Sequence, residues 1–367
     1  MTRRAALSLA LAGILLPLAG GLVALVALGP PAAPSPRRAA REPGAVDVVL
    51  AVIDTARADA LTSYGAPAHA TPRLAEIAKE GVVFENAFSP APWTSPAMFS
   101  MITSLEPREH GIDTGATLGG GRVIQPRLPA AADTLAEELR AGGYETFGVC
   151  TNFHLSARFG FDQGFDTFVG DDFAFLPFPT RAVRAVSDRV RRSGKHFTWL
   201  HYFDPHYPYR TNEPWFGRAN RSPYRSFAEL AHAETARVHR RLEQIPPDAP
   251  LPVEDLSRLS SLGTLAARHP FFLFRYLKST VKAPDAPQAR FLRAAYSSEV
   301  SRVDAALAGA LAELGVDDRT LVIITSDHGE ELFDHGDLGH RNADSLYQEL
   351  IRVPDRKSTR LNSSHYS

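Results

Sequence analysis

Cysteine is almost absent from this chain. Cys150 is the only one in 367 residues, so no intrachain disulfide can staple the fold. It ends the apolar run 147–150 and reads as a buried structural thiol rather than a nucleophile. Net charge is also nearly absent, at −1 near neutral pH. That removes the basic footprint expected of a nucleic-acid binder. No internal repeat is present. Charge is missing altogether from residues 5–29, which follow Arg3 and Arg4. That stretch is long enough to cross a bilayer. A cleaved signal peptide normally has a shorter apolar core. The small-residue site Ala27-Leu28-Gly29 is followed by Pro30 and Pro31, which suit cleavage poorly. An uncleaved anchor over residues 1–29 is the favoured expectation. Residues 30–45, rich in Pro, Ala and Arg, form a linker. The catalytic part is then expected outside the cytoplasm, held at a membrane.

What remains is ample for one large domain, residues 46–354. The chain is 44% hydrophobic and 22% charged, enough to bury a sizeable core. Strand patterns fall at 46–53, 145–151, 196–203 and 320–326. Helical patterns fall at 71–80, 96–104, 132–142, 180–192 and 288–314. Their alternation predicts an α/β fold, a doubly wound and mostly parallel sheet with helices on both faces. Residues 214–287 read as a helical insertion, either a cap over the site or a solvent-facing elaboration.

Two distant segments carry the chemistry. LAVIDTARAD delivers Asp54 at the end of an apolar strand, and IITSDHGEELFDHGDLGH delivers Asp327 and His328 in the same way. Carboxyl ends of strands are where open α/β sheets place ligand sites. Carboxylates with an imidazole suit a divalent metal such as Zn²⁺, Mn²⁺ or Ca²⁺. Ordinary turn residues are the bland alternative. Between them, SPAPWTSPAMFSMITSLEP sets Thr94 and Ser95 before Pro96 at the mouth of a helix. Hydroxyls there face free N–H groups and the positive end of the helix dipole. A simple N-cap is the competing reading. In HYFDPHYPY, alternation puts Asp204 and His206 on one side of an extended chain.

These segments, together with TPRLAEIAKEGVVFENAFSPAPWTSP, GYETFGVCTNFHLSARFGFDQGFD, YSSEVSRVDAALAGALAEL and SLYQELIRVP, resemble the sulfatase family, within the alkaline-phosphatase-like superfamily. The resemblance runs in order over most of residues 46–354. It implies a metal held by Asp54, Thr94, Asp327 and His328. It implies Thr94 as the nucleophile, His206 and His154 as candidates to protonate the leaving group, and His340 as a contact to the transferred group. The departures are specific. The family's Cys or Ser, oxidised to formylglycine, is Thr94 here, and a threonine would give a ketone. The Arg four residues on is Met98. Thr55 follows Asp54 where a second Asp is common. Asn152 and His340 stand where anion-binding lysines are common. The resemblance is therefore to the branch that uses an unmodified threonine, which includes phosphoethanolamine transferases.

Three functions stay open on these grounds. They are a sulfatase-like hydrolase of sulfate or phosphate esters, a membrane-anchored phosphoethanolamine-type transferase acting on lipid or glycan, and a non-catalytic protein of the same fold. After Arg352-Val353-Pro354 the chain reads DRKSTRLNSSH from Asp355. That string is the in-frame translation of a common short-read sequencing adapter. Residues 355–367 are thus expected to be a non-native tail that packs loosely, with the C-terminal part of the fold missing.

Overall fold

In a computed structural model the described residues are 44–113, 116–118, 122–124, 126–170, 180–207, 209, 287–340 and 345–358. The expected anchor over 1–29, linker residues 30–43, insertion residues 214–286 and tail residues 359–367 lie outside them. Among the described residues no helix is long and apolar enough to cross a membrane.

In chain order the elements are β1 (Asp47–Ile53), α1 (Pro72–Lys79), β2 (Gly81–Phe88), α2 (Thr94–Thr103), α3 (Pro107–His110), β3 (Ala116–Leu118), β4 (Arg122–Ile124) and α4 (Leu135–Ala141). They continue with β5 (Glu145–Cys150), β6 (Thr167–Gly170), α5 (Thr180–Arg192), β7 (His196–Tyr202), α6 (Pro287–Leu314), β8 (Thr320–Thr325), β9 (Glu331–Leu332), β10 (Leu338–Gly339), α7 (Gln348–Ile351) and β11 (Arg352–Ser358). Seven strands form the main sheet in the order β2-β11-β8-β1-β7-β5-β6. From β8 to β6 every neighbouring pair is parallel, while β11 runs antiparallel to both β8 and β2.

Side-chain alternation along β1 explains the layering. Val49, Ala51 and Ile53 pack with Leu74 of α1, Val183 and Val186 of α5, and Leu307 of α6. Leu50 and Val52 face the other way, onto Met98, Phe99 and Ile102 of α2 and Ala136 of α4. Both faces of the central strands are covered, so these strands read as continuous apolar runs rather than alternating ones.

The expectation that the residues from Asp355 onward pack loosely is corrected where they are described. Asp355–Ser358 complete β11, which pairs with β8 on one side and β2 on the other. The slot between two strands demands only extended backbone, and ladder hydrogen bonds do not depend on side-chain identity. A register shift between Val353 and Asp355 accommodates Pro354, which has no N–H to give. The side chains fit less well than the backbone. Arg356 is only 1% exposed, and its Nη1 donates to the Leu74 carbonyl at 2.7 Å. Its Nε and Nη2 have no hydrogen-bond partner.

Candidate metal centre

Three adjacent parallel strands, β7, β1 and β8, finish at one edge of the sheet. Asp54 directly follows β1. Asp327 and His328 follow β8, with Ser326 between. On β7, Phe197 and Trp199 face α2, and alternation carries His201 to the same side. Asp54 likewise continues the face of Leu50 and Val52. Helix α2 then brings Thr94 over that face.

The donors converge. Ligand atoms of Asp54, His201 and Asp327 all lie within 4.8 Å of one another. His328 Nε2 stands 3.4 Å from Asp327 Oδ2 and 3.9 Å from Asp54 Oδ1. His201 Nε2 is 3.6 Å from Asp54 Oδ2. Thr94 Oγ1 is 3.2 Å from His328 Nε2. All five residues are buried. Thr94 is the first residue of α2, after Trp93 at the N-cap position, and no side chain caps this helix. The hydroxyl is thus turned toward His328 instead of its own helix end. Ser95 is buried in the same turn.

Backbone and side-chain bonds orient each donor. Asn152 Nδ2 donates to Asp54 Oδ2 at 2.8 Å. Asp327 Oδ1 accepts from the N–H of Thr55 (3.1 Å) and of His328 (2.8 Å). Nδ1 of His328 faces the Gly329 carbonyl at 2.8 Å. A carbonyl only accepts, so Nδ1 carries the proton and the Nε2 lone pair points into the cluster. Thr55 adopts φ 55°, which is strained for a β-branched residue. Ser326 Oγ accepts the Ala56 N–H at 2.9 Å, tying that turn to the end of β8.

The electrostatics ask for a cation. Burial, then the charge of Asp327, raises the Asp54 pKa well above the usual carboxylate range, against the hydrogen bond from Asn152. The described residues give neither carboxylate a Lys or Arg partner. Burial pushes His201 down to about 4, so it is a neutral imidazole near pH 7. Asp54 Oδ1, Asp327 Oδ2 and both ring nitrogens of His201 make no hydrogen bond, although buried polar atoms are nearly always paired. Donors held tetrahedrally by bonds of ~2.1 Å would stand about 3.4 Å apart. The spacings above bracket that value, and the residue types suit a divalent ion. The set fits the metal expected from the sequence.

Beside it lies a histidine pair. His340 Nδ1 contacts Glu330 Oε1 at 2.8 Å. Its ring centroid is 4.4 Å from that of His328 and 4.8 Å from that of His206. Glu330 is buried, and burial raises its pKa against the charges of His206 and His328. His206 stacks on Phe203, and its Nδ1–H donates to the Tyr207 carbonyl. Burial, then a charge on His340, lowers its pKa. Arg57 fastens the loop that carries Glu330. Its Nη1 donates to the Glu330 carbonyl (3.2 Å) and Asp334 Oδ2 (2.6 Å), while Nε and Nη2 clasp Asp59.

His154 sits on the 3-10 turn Phe153–Leu155, its ring edge-on to Phe153. Asn152, at the N-cap of that turn, is the residue that reaches Asp54. His335 pairs with Glu349 and stacks on Tyr347. Sequence reading singled out Asp204 and His206 and passed over His201, Asn152, Glu330 and Arg57 as site residues. For His201 a signal existed: counting alternation from Trp199 places it on the site face.

The Sulfatase family model matches residues 47–354. Human N-acetylgalactosamine-6-sulfatase is 25% identical, over 82% of this chain and 53% of its own length. The multifunctional alkaline phosphatase superfamily protein PehA of Trinickia caryophylli is 24% identical, over 83% of this chain and 67% of its own. Among solved structures, the 2-O GAG sulfatase BT1596 gives a TM-score of 0.56 at 17% identity, covering 86% of this chain and 64% of its own. The C-terminal periplasmic domain of EcEptC from Escherichia coli gives 0.53 at 16%, covering 86% and 72%. These likenesses show the alkaline-phosphatase-like fold. The chain spans about half the length of human N-acetylgalactosamine-6-sulfatase.

Proposed function

The chain belongs to the sulfatase family, and from that premise we propose that it is a metal-dependent hydrolase of sulfate or phosphate esters with Thr94 as nucleophile. The observation that carries this reading is the Thr94 Oγ1 to His328 Nε2 approach of 3.2 Å, made by a hydroxyl that caps no helix. Asp54, Thr94, Asp327 and His328 would hold one divalent ion. Such an ion, when bound, polarises ester oxygens and lowers the pKa of a nearby hydroxyl.

The protein's own groups do the rest. Thr94 Oγ attacks sulfur or phosphorus, a new ester bond forms to Thr94, and the bond to the leaving oxygen breaks. His206, with Nδ1 committed to Tyr207, presents Nε2 to take up the proton that Thr94 loses and pass it to the leaving oxygen. His340, oriented by Glu330, contacts the transferred group. Water then resolves the covalent ester. Sulfated glycans are the first substrates to try, because a solved relative was captured with D-glucosamine-2-N,6-O-disulfate.

A second reading is transfer to an acceptor alcohol on a lipid or glycan. Thr94 supports it, because an unmodified hydroxyl forms a stable ester without the aldehyde hydrate. The uncharged stretch 5–29 supports a membrane-anchored protein with its catalytic domain outside the cytoplasm. The deciding experiment is a panel of aryl sulfates, sulfated sugars, phosphate monoesters and phosphodiesters, with and without an added alcohol. Turnover of one class, lost on chelation and in Thr94→Ala, is expected. Turnover that survives Thr94→Ala, or mass spectrometry showing a ketone at Thr94 or an aldehyde at Ser95, overturns the mechanism.

A further inference from the structure

His201 is the one member of the buried cluster to which the mechanism above gives no role. Both its ring nitrogens lack a hydrogen bond, and the side chain is 0% exposed. Its Nε2 is 3.6 Å from Asp54 Oδ2, longer than a hydrogen bond, so it does not serve to orient Asp54. A separation of 3.6 Å suits two donors that share an ion. An imidazole buried without partners costs free energy. Nothing among the described residues offsets that cost in the metal-free protein.

Resting on the reading of this cluster as a metal centre, we propose that His201 is itself a metal ligand. With His328 it supplies two imidazoles beside the carboxylates of Asp54 and Asp327. Two carboxylates and two neutral imidazoles balance a dication without surplus charge. Imidazole suits Zn²⁺ and its transition-metal neighbours, whereas Ca²⁺ takes six to eight oxygens and Mg²⁺ keeps its waters. The site is therefore built for a borderline ion such as Zn²⁺ and discriminates against Ca²⁺ and Mg²⁺. The unpartnered Nδ1 leaves the tautomer of His201 unset until an ion takes the lone pair of Nε2.

The test uses the full chain, stripped with a chelator and reloaded with Zn²⁺ or Ca²⁺ alone. X-ray absorption of the Zn²⁺ form should show two imidazoles in the wild type and one in His201→Gln. Changes to outer-shell residues cost roughly 10–100-fold in metal affinity, so loss of a ligand should cost more, read by competition with a chromophoric chelator. An unchanged imidazole count in His201→Gln overturns the proposal and leaves the metal centre standing. A wild type that retains no Zn²⁺ takes down the metal centre itself. His201→Leu keeps the volume and removes the orphaned nitrogens. Its metal-free form should unfold at or above the temperature of metal-free wild type while binding Zn²⁺ more weakly. A lower unfolding temperature with unchanged Zn²⁺ affinity would assign His201 to structure and overturn the proposal.

Discussion

The phenol of Tyr296 holds the strained turn at Thr55. Its O–H donates to the Thr55 carbonyl at 2.8 Å, and its oxygen accepts the Arg57 N–H at 2.8 Å. One side chain on α6 thereby fixes the backbone on which Asp54 and Asp327 both depend, since the Thr55 N–H also donates to Asp327.

Tyr296→Phe keeps the packing and strands both backbone groups. Leaving buried polar groups unpaired should cost about 2 kcal/mol. Metal affinity should fall by roughly 10–100-fold, as for other outer-shell changes. Urea unfolding and chelator competition on the same preparation measure the two effects. Unchanged metal affinity in a destabilised variant would show that the turn does not position the ligands.

Thr94 and Ser95 separate by geometry, and kinetics should separate them too. Thr94→Ala is expected to lower kcat by about a thousandfold or more, the scale seen when a nucleophile is removed. Ser95→Ala should retain much of the activity. The opposite pattern moves the nucleophile to Ser95.

The Arg57–Asp334 pair predicts a pH dependence. Burial raises the Asp334 pKa, but the hydrogen bond and charge of Arg57 outweigh it and hold the group below its usual value. A depressed carboxylate stabilises the fold above its unfolded pKa of about 3.9, and that stability is lost as pH falls through the lower folded value. Asp334→Asn should therefore be less stable than wild type near pH 7, with the gap closing below about pH 4. Melting temperatures across that range test it. A gap that stays constant into acid would assign the loss to packing rather than charge.

Arg356 predicts a gain. Burial lowers its pKa, and two of its guanidinium nitrogens are unpartnered. Arg356→Met removes a buried cation at the cost of one hydrogen bond to Leu74, and should stabilise the protein by about 1 kcal/mol. Thermal unfolding reads it. A loss of stability would show that the bond to Leu74 and the contact with Tyr64 outweigh desolvation.

Much of the fold was legible because buried strands and amphipathic helices write their periods into sequence. Strands β1, β5, β7 and β8 and helices α1, α2, α4, α5 and α6 fall within a few residues of their expected bounds. Strands β2 and β11 were not expected. In β2, exposed Val82 and Phe84 lie beside a half-buried Val83, so no clean alternation marks it. The second half of β11 is polar, so no apolar period marks it, and backbone pairing with β2 and β8 sets its place.

The sequence by itself determined which chemistry is available: strands that end in Asp54, Asp327 and His328, and a threonine before a helix-starting proline. Those are local facts, set by residue order and period. Only the tertiary structure decided the company they keep. His201 enters the cluster because β7 lies beside β1 in parallel register, pairing Val52 with His201. Asn152 enters because β5 lies beside β7, and Tyr296 because α6 packs across the turn after β1. Strand order and helix packing are cooperative outcomes of burying the two faces of one sheet. They bring together residues such as Thr55 and Asp327, 272 positions apart, a distance at which no sequence period can signal a contact.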